Sequence, residues 1–190
     1  MTVVTCVVAD PPWHFADALP GKTRGAARKY PCMTVEQIAA LNPMPPECSP
    51  NSVLFLWRVA AMQEEALRVI RAWGYTLKSE LVWRKLTKTG KPFFGMGRYT
   101  RGSHETCLLA VRGRAPVAVR NVRSEFAAKV REHSRKPEEF YQIVEALYPH
   151  AMRFELFSRS PRRGWIQWGL ESRKFVPAPQ STASGKTRAA

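Results

Sequence analysis

The sequence predicts an α/β fold built on a mostly parallel central sheet flanked by helices. Two observations carry this reading. Near-continuous apolar runs of strand length at residues 3–9 and 52–57 suit strands covered on both faces. Strand followed by helix recurs along the chain, the order that builds parallel sheets. With 190 residues and 45% apolar content, the chain can bury one sizeable core.

Residues 3–9 end at Asp10, where Pro11 and Pro12 remove two backbone donors and stop the strand. In "TVEQIAAL" Thr34 is a natural N-cap and Gln37 follows three residues later, the capping-box pattern of a short helix. "SVLFLW" at 52–57 reads as a second buried strand. Between Ala60 and Trp73 the apolar residues Met62, Ala66, Leu67, Val69, Ile70 and Trp73 recur at helical spacing, and Gly74 supplies the stop. Strands are expected at 75–83 and 106–112, separated by a long loop rich in glycine and basic residues. A loop of that length in a compact domain is functional or disordered. Pro137 takes the first helical position before "EEFYQIVEALY", with Glu138 and Glu139 placed to complement the helix dipole. A strand-like "AMRFELFSR" follows, then "GWIQWGLE" as a last strand or turn. One domain is expected over 1–172, with 173–190 as a basic, disordered tail.

The net charge of +15 is concentrated: residues 78–136 hold 15 basic and 4 acidic residues, and 173–190 hold 4 basic and no acidic ones. Such a basic block is the footprint of a polyanion partner, because each neutralised phosphate releases condensed counterions. A solvated basic surface is the plainer alternative. Cys6, Cys32, Cys48 and Cys107 are too widely spaced for a zinc knuckle or a compact secreted disulfide framework, so reduced thiols in the cytoplasm are expected. His104 has no second His or Cys at ligand spacing, and no metal is expected. No run of 18 apolar residues is present, and the opening "MTVVTCVVA" lacks a basic lead, so no membrane association or signal peptide is expected.

In an open parallel sheet, ligands collect beyond the carboxyl ends of the strands, where Asp10 stands. The two prolines are expected to leave a rigid ridge of carbonyl acceptors, and Trp13 to add a flat face. Together these would receive an amino group on a flat heterocycle. Such an amine is a poor nucleophile because its lone pair is delocalised into the ring. Accepting its hydrogens favours attack on an electrophile, and a carboxylate stabilises the positive charge that grows on nitrogen. The chemistry points to methyl transfer from a sulfonium donor; an ordinary strand-ending turn with a core tryptophan is the alternative.

The full string Asp-Pro-Pro-Trp after a buried strand resembles the signature of the adenine amino-methyltransferases, a family that includes the eukaryotic messenger-RNA adenosine methyltransferase catalytic subunit and bacterial and phage DNA-methylating relatives. The likeness extends over residues 1–171 through "YPCMTVEQIAALN", "VLFLW", "GYTLKSELVWRK", "GRYTRGSHETCLLAVRG", "HSRKPEEFY" and "ELFSR" with "GWIQWGLE". It implies a Rossmann-like methyltransferase fold, S-adenosylmethionine as cofactor, and transfer to the 6-amino group of adenine in DNA. The same reaction on RNA, and an idle nucleic-acid-binding subunit of a heteromeric enzyme, are the alternatives; a homo- or heterodimer is compatible with the likeness.

By the same resemblance Asp10, Pro11, Pro12 and Trp13 are catalytic, and Asp10 also meets the amino end of the cofactor. Lys136 would pair with the cofactor carboxylate, Phe157 and Arg159 would border its ribose, and Glu171 would bind its nucleoside. On the substrate side stand Tyr30, Trp83, Lys85, Tyr99 and Glu105, with Trp83 and Tyr99 flanking an extruded base and Glu105 accepting a hydrogen bond from it. Each has a plainer counterpart as a core aromatic or a solvated charge. The sequence departs from the family at Leu170, where an asparagine is usual, and has no Gly-x-Gly cofactor loop. Longer relatives carry a strand ahead of the signature that contacts the cofactor adenine; here the adenine is expected to rest against residues 164–169.

Overall fold

A computed structural model of the chain describes residues 4–15, 32–41, 48–97, 99–132 and 135–169. Their elements run in the order β1 (Val4–Ala9), α1 (Val35–Ala40), β2 (Cys48–Arg58), α2 (Gln63–Ala72), β3 (Thr76–Leu86), β4 (His104–Arg112), β5 (Glu125–Lys129), α3 (Glu138–Leu147), β6 (Arg153–Leu156) and β7 (Trp165–Trp168). The strands form one sheet in the order β5, β3, β4, β2, β1, β6, β7. β1 pairs parallel with both β2 and β6, β6 with β7, and β3 with β5. Only β4 runs against its neighbours β2 and β3.

β1 is buried on both faces, as its unbroken apolar run requires. Val7 and Ala9 enter the core on the α1 and α2 side, while Cys6 and Val8 enter the core under α3. β2 alternates in the same way, with Leu54 and Leu56 on the first face and Val53, Phe55 and Trp57 on the second. Trp73 at the end of α2 donates its indole N–H to the Ile38 carbonyl of α1 at 3.2 Å, joining the two helices. The capping box at Thr34 and Gln37 forms as expected. Phe140 of α3 lies edge-on to Phe55 and Trp57, which anchors that helix over the second face.

Four expectations are corrected. β3 continues to Leu86 and β4 begins at His104, with Trp83 opposite Glu105, so the intervening loop is shorter than 84–105. β5 was not anticipated: it is a short edge strand with only Ala128 buried, too polar to stand out as an apolar run. α2 starts at Gln63 rather than Ala60, because Met62 occupies the N-cap. Pro137 has extended backbone angles and is the N-cap of α3, one position earlier than its expected place inside the helix. Tyr30, Leu170, Glu171 and the 173–190 tail lie outside the described residues.

Candidate active site

β1 is the strand at which the sheet order turns: the chain leaves it toward β2 on one side and returns beside it as β6 on the other. A crevice opens beyond the carboxyl ends of strands at such a switch point. Asp10 is the first residue past the end of β1 and lines a cleft with Val8, Trp57, Lys136, Phe157 and Arg159. Because β4 is reversed, its first residues reach the same rim, and Glu105 meets the last residues of β3 there. The segment that leads into α3 adds Lys136 from above. Four elements distant in sequence thus deliver charged side chains to one spot.

Those charges form a chain. Lys136 Nζ lies 2.8 Å from Asp10 Oδ2 and 3.2 Å from Glu105 Oε2, and Lys85 Nζ lies 2.6 Å from Glu105 Oε1. Lys136 also stands over the Trp57 ring, and Lys85 over the rings of Trp83 and Phe93. Burial works against the charged form of Glu105, but the Lys136 and Lys85 ammonium groups outweigh it and lower the carboxyl pKa to about 2. Burial likewise disfavours the Lys136 ammonium, and the Asp10 and Glu105 carboxylates more than restore it, raising its pKa. Asp10 is not sealed in: its side chain keeps 24% exposure and faces the cleft.

A second cluster forms the floor. Glu155 of β6, opposite Val8 of β1, accepts hydrogen bonds from Tyr141 Oη at 2.6 Å, Ser158 Oγ at 3.0 Å and Gln167 Nε2 at 3.2 Å. Burial raises its pKa against the pull of these donors. Glu155, Tyr141 and Trp57 are cleft residues that sequence reasoning missed. The signal for Glu155 was a single acid in the apolar run "RFELF"; Trp57 was hidden inside an ordinary buried strand. Just past β6, Phe157 has φ 61°, the one non-glycine positive φ among the described residues. Left-handed backbone at a bulky residue costs energy and is concentrated at functional sites. The turn is held by the Ser158 N–H donating to the Trp168 carbonyl at 3.1 Å. It is also held by close approach to Gly169, where a Cβ would lie 2.8 Å from Ser158 N and O.

The structure brings Asp10, Lys136, Phe157 and Arg159 to one cleft, and joins Lys85 and Glu105 to it through the ion pairs. Trp13 is a correction. It is buried in the core and its indole N–H donates to the Trp57 carbonyl at 2.9 Å, so it braces β2 rather than offering a stacking face. The proline ridge is also less open than expected, since the Pro11 carbonyl accepts from Trp13 N–H and the Pro12 carbonyl from Met33 N–H, each at 2.8 Å. Each carbonyl oxygen retains a second lone pair. Trp83 is only 3% exposed and donates to the Ala128 carbonyl, which is the core reading, whereas Tyr99 is 94% exposed on the loop before β4. The two rings are therefore not arranged as a pair around a base.

An acid at the tip of β1, a buried lysine beside it and a strained turn across a switch-point crevice are carried by a fold of the Rossmann-like class. The sequence profile of the MT-A70 family matches residues 4–171, and the chain belongs to that family, with its Rossmann-like methyltransferase fold. It is 31% identical over 172 residues to an Arabidopsis thaliana protein named N(6)-adenosine-methyltransferase MT-A70-like, covering 86% of this chain and 23% of the relative. The human N(6)-adenosine-methyltransferase catalytic subunit METTL3 is 28% identical, with 86% of this chain and 27% of the relative covered. The type II methyltransferase M.MunI of Mycoplasma sp is 26% identical over 184 residues, covering 87% of this chain and 76% of the relative. The chain thus spans about a quarter of the adenosine-methyltransferase relatives and three quarters of the type II enzyme.

Proposed function

We propose that this chain transfers a methyl group from S-adenosylmethionine to the 6-amino group of adenine in DNA. The observation that carries the reading is the Asp10 carboxylate, open to the cleft at the end of the central strand and oriented by Lys136. S-adenosylmethionine, when bound, supplies an electrophilic methyl group on a sulfonium. The donor set suits its ends. Lys136 would meet the carboxylate, Asp10 the amino group, and Phe157 and Arg159 the nucleoside. The Trp57 indole N–H, buried at the cleft without a hydrogen-bond partner, is a further polar group that a ligand can satisfy.

Asp10 accepts an N–H of the target amine, and a proline carbonyl can accept the other through its remaining lone pair. Electron density is thereby returned to nitrogen, and the carboxylate stabilises the charge that develops there. No strong base is needed, because an alkylated amine of this kind sheds its proton readily to water. Glu105, held ionised by two lysines, would accept from the base at the rim, with Lys85 beside it. Tyr99 supplies an exposed ring on the approach loop for stacking. The likeness to the type II methyltransferase M.MunI, over 184 residues, supports the reading on DNA.

Incubation with labelled methyl donor and single- or double-stranded DNA and RNA, followed by nucleoside mass spectrometry, tests this function. N6-methyladenine in DNA is expected. Its absence from both polymers overturns the activity, and its appearance in RNA alone overturns the choice of DNA.

A further inference from the structure

Among the described residues the three most exposed large apolar side chains, Phe94 at 76%, Met96 at 74% and Tyr99, all fall in the connection between β3 and β4. The connection is a folded ribbon. Phe93 N–H donates to the Lys85 carbonyl at 3.0 Å, Lys85 N–H to the Ser103 carbonyl at 2.9 Å and Gly95 N–H to the Gly102 carbonyl at 3.1 Å. Its glycines are required by close approach: a Cβ on Gly95 would collide with the Gly102 carbonyl, and one on Gly97 with the Thr100 carbonyl. Phe94 and Met96 flank Gly95 and so are held on either side of that rung. The surround has charge of one sign, since residues 86–103 hold four basic residues and no acidic one. The Arg101 guanidinium stands 5.3 Å from the centre of the Phe94 ring. Exposed apolar side chains on a defined backbone mark a contact surface, and an acid-free basic surround selects a polyanion for it. The base of the ribbon reaches the cleft: the Phe93 ring centre lies 5.8 Å from Lys85 Nζ, and Lys85 pairs with Glu105 at the rim.

We infer that this ribbon opens duplex DNA, with Phe94 and Met96 entering the base stack beside the target adenine. The inference rests on the proposed function, which requires the adenine to leave the helix before its amino group can reach Asp10. Extrusion costs unpairing and unstacking, and apolar side chains that wedge into the stack offset that cost; phenylalanine and methionine are both suited to it. Lys88, Lys91 and Arg101, all exposed, would hold the flanking phosphates. A platform for single strands is built from flat rings on which successive bases lie. A phenylalanine and a methionine on a narrow, glycine-tightened ribbon form a wedge instead.

The test uses the full chain and a DNA duplex that it methylates in the assay above. With 2-aminopurine at the methylated position and S-adenosylhomocysteine present, the parent should raise the fluorescence, because this base brightens when it leaves the stack. The double variant Phe94→Ala/Met96→Ala, which removes two exposed side chains, is expected to give less than about a third of that rise and to methylate the duplex about tenfold more slowly. Its rate on the corresponding single strand should stay within about twofold of the parent. A mismatched base opposite the target should restore most of its duplex rate, since that adenine is already loosened. An equal fluorescence rise, or equal slowing on duplex and single strand, overturns the inference alone. So does a parent active on single strands only, or a variant changed solely in oligomeric state by sedimentation, which would make the patch a protein contact. A parent that methylates no DNA overturns it together with the function on which it rests.

Discussion

Lys136 answers two carboxylates at once, and this sets how the site responds to pH and to mutation. The folded-state pKa of Glu105, about 2, lies below its ordinary value, so its contribution to stability is complete above the ordinary carboxyl range. That contribution fades as pH falls from about 4.5 through about 2. In thermal melts across this window the parent should lose more stability than Glu105→Gln, which has no carboxylate to protonate; parallel curves would refute the pairing. Lys136→Met removes the cation between Asp10 and Glu105, and should cost about 3 kcal/mol in urea unfolding. At this level the place of Asp10 at the cleft was legible from its strand-end motif, and that of Lys136 only through the family resemblance. Trp13 could not, since the same letters serve a stacking ring or a core brace, and only the partner at Trp57 decides between the two. Glu155 escaped notice for a related reason. Its role follows from β6 lying beside β1, a pairing of segments about 145 residues apart that no local pattern encodes.

The turn after β6 shows how an element positions a site at a cost. Phe157 sits in left-handed backbone and Gly169 leaves no room for a side chain against it. Gly169→Ala should therefore destabilise the protein by about 1–3 kcal/mol and weaken methyl-donor binding, because the turn carrying Phe157 and Arg159 must shift. Equal urea midpoints and equal affinity would show that the turn yields freely. Thr34→Ala, which breaks the capping box of α1 far from the charged cluster, should cost about 1 kcal/mol with donor affinity unchanged. Elements with strong local signals were legible. β1 and β2 stand out by their unbroken apolar runs, α2 by its period and α1 by its cap. β5 and the extension of β3 were not, because both lie on the polar side of the sheet where pairing, not burial, makes the strand.

The basic block of the sequence folds into one side of the sheet, as β3, β4, β5 and their connections, and its rim meets the cleft at Lys85 and Glu105. Exposed Arg84, Lys88, Lys91, Arg101, Lys129 and Arg131 lie on that side. By the proposed function, a polyanion drawn there would be brought to the end of the sheet where Asp10 stands. Nucleic-acid affinity should fall steeply with salt, and removal of residues 173–190 should flatten that dependence by the phosphates the tail neutralises. An unchanged slope would show that the tail takes no part. The α/β class and the order of the segments were visible from alternating strand and helix signals. The reversed β4, which brings Glu105 to the rim, became visible only with the pairing of the strands.

Single-turnover methyl transfer to adenine by Asp10→Asn, measured beside its nucleic-acid affinity, is the most direct test of the account. A rate about 100-fold or more below the parent, with nucleic-acid binding held within about twofold, is the predicted result. A near-parental rate would contradict it, as would loss of binding in proportion to loss of rate.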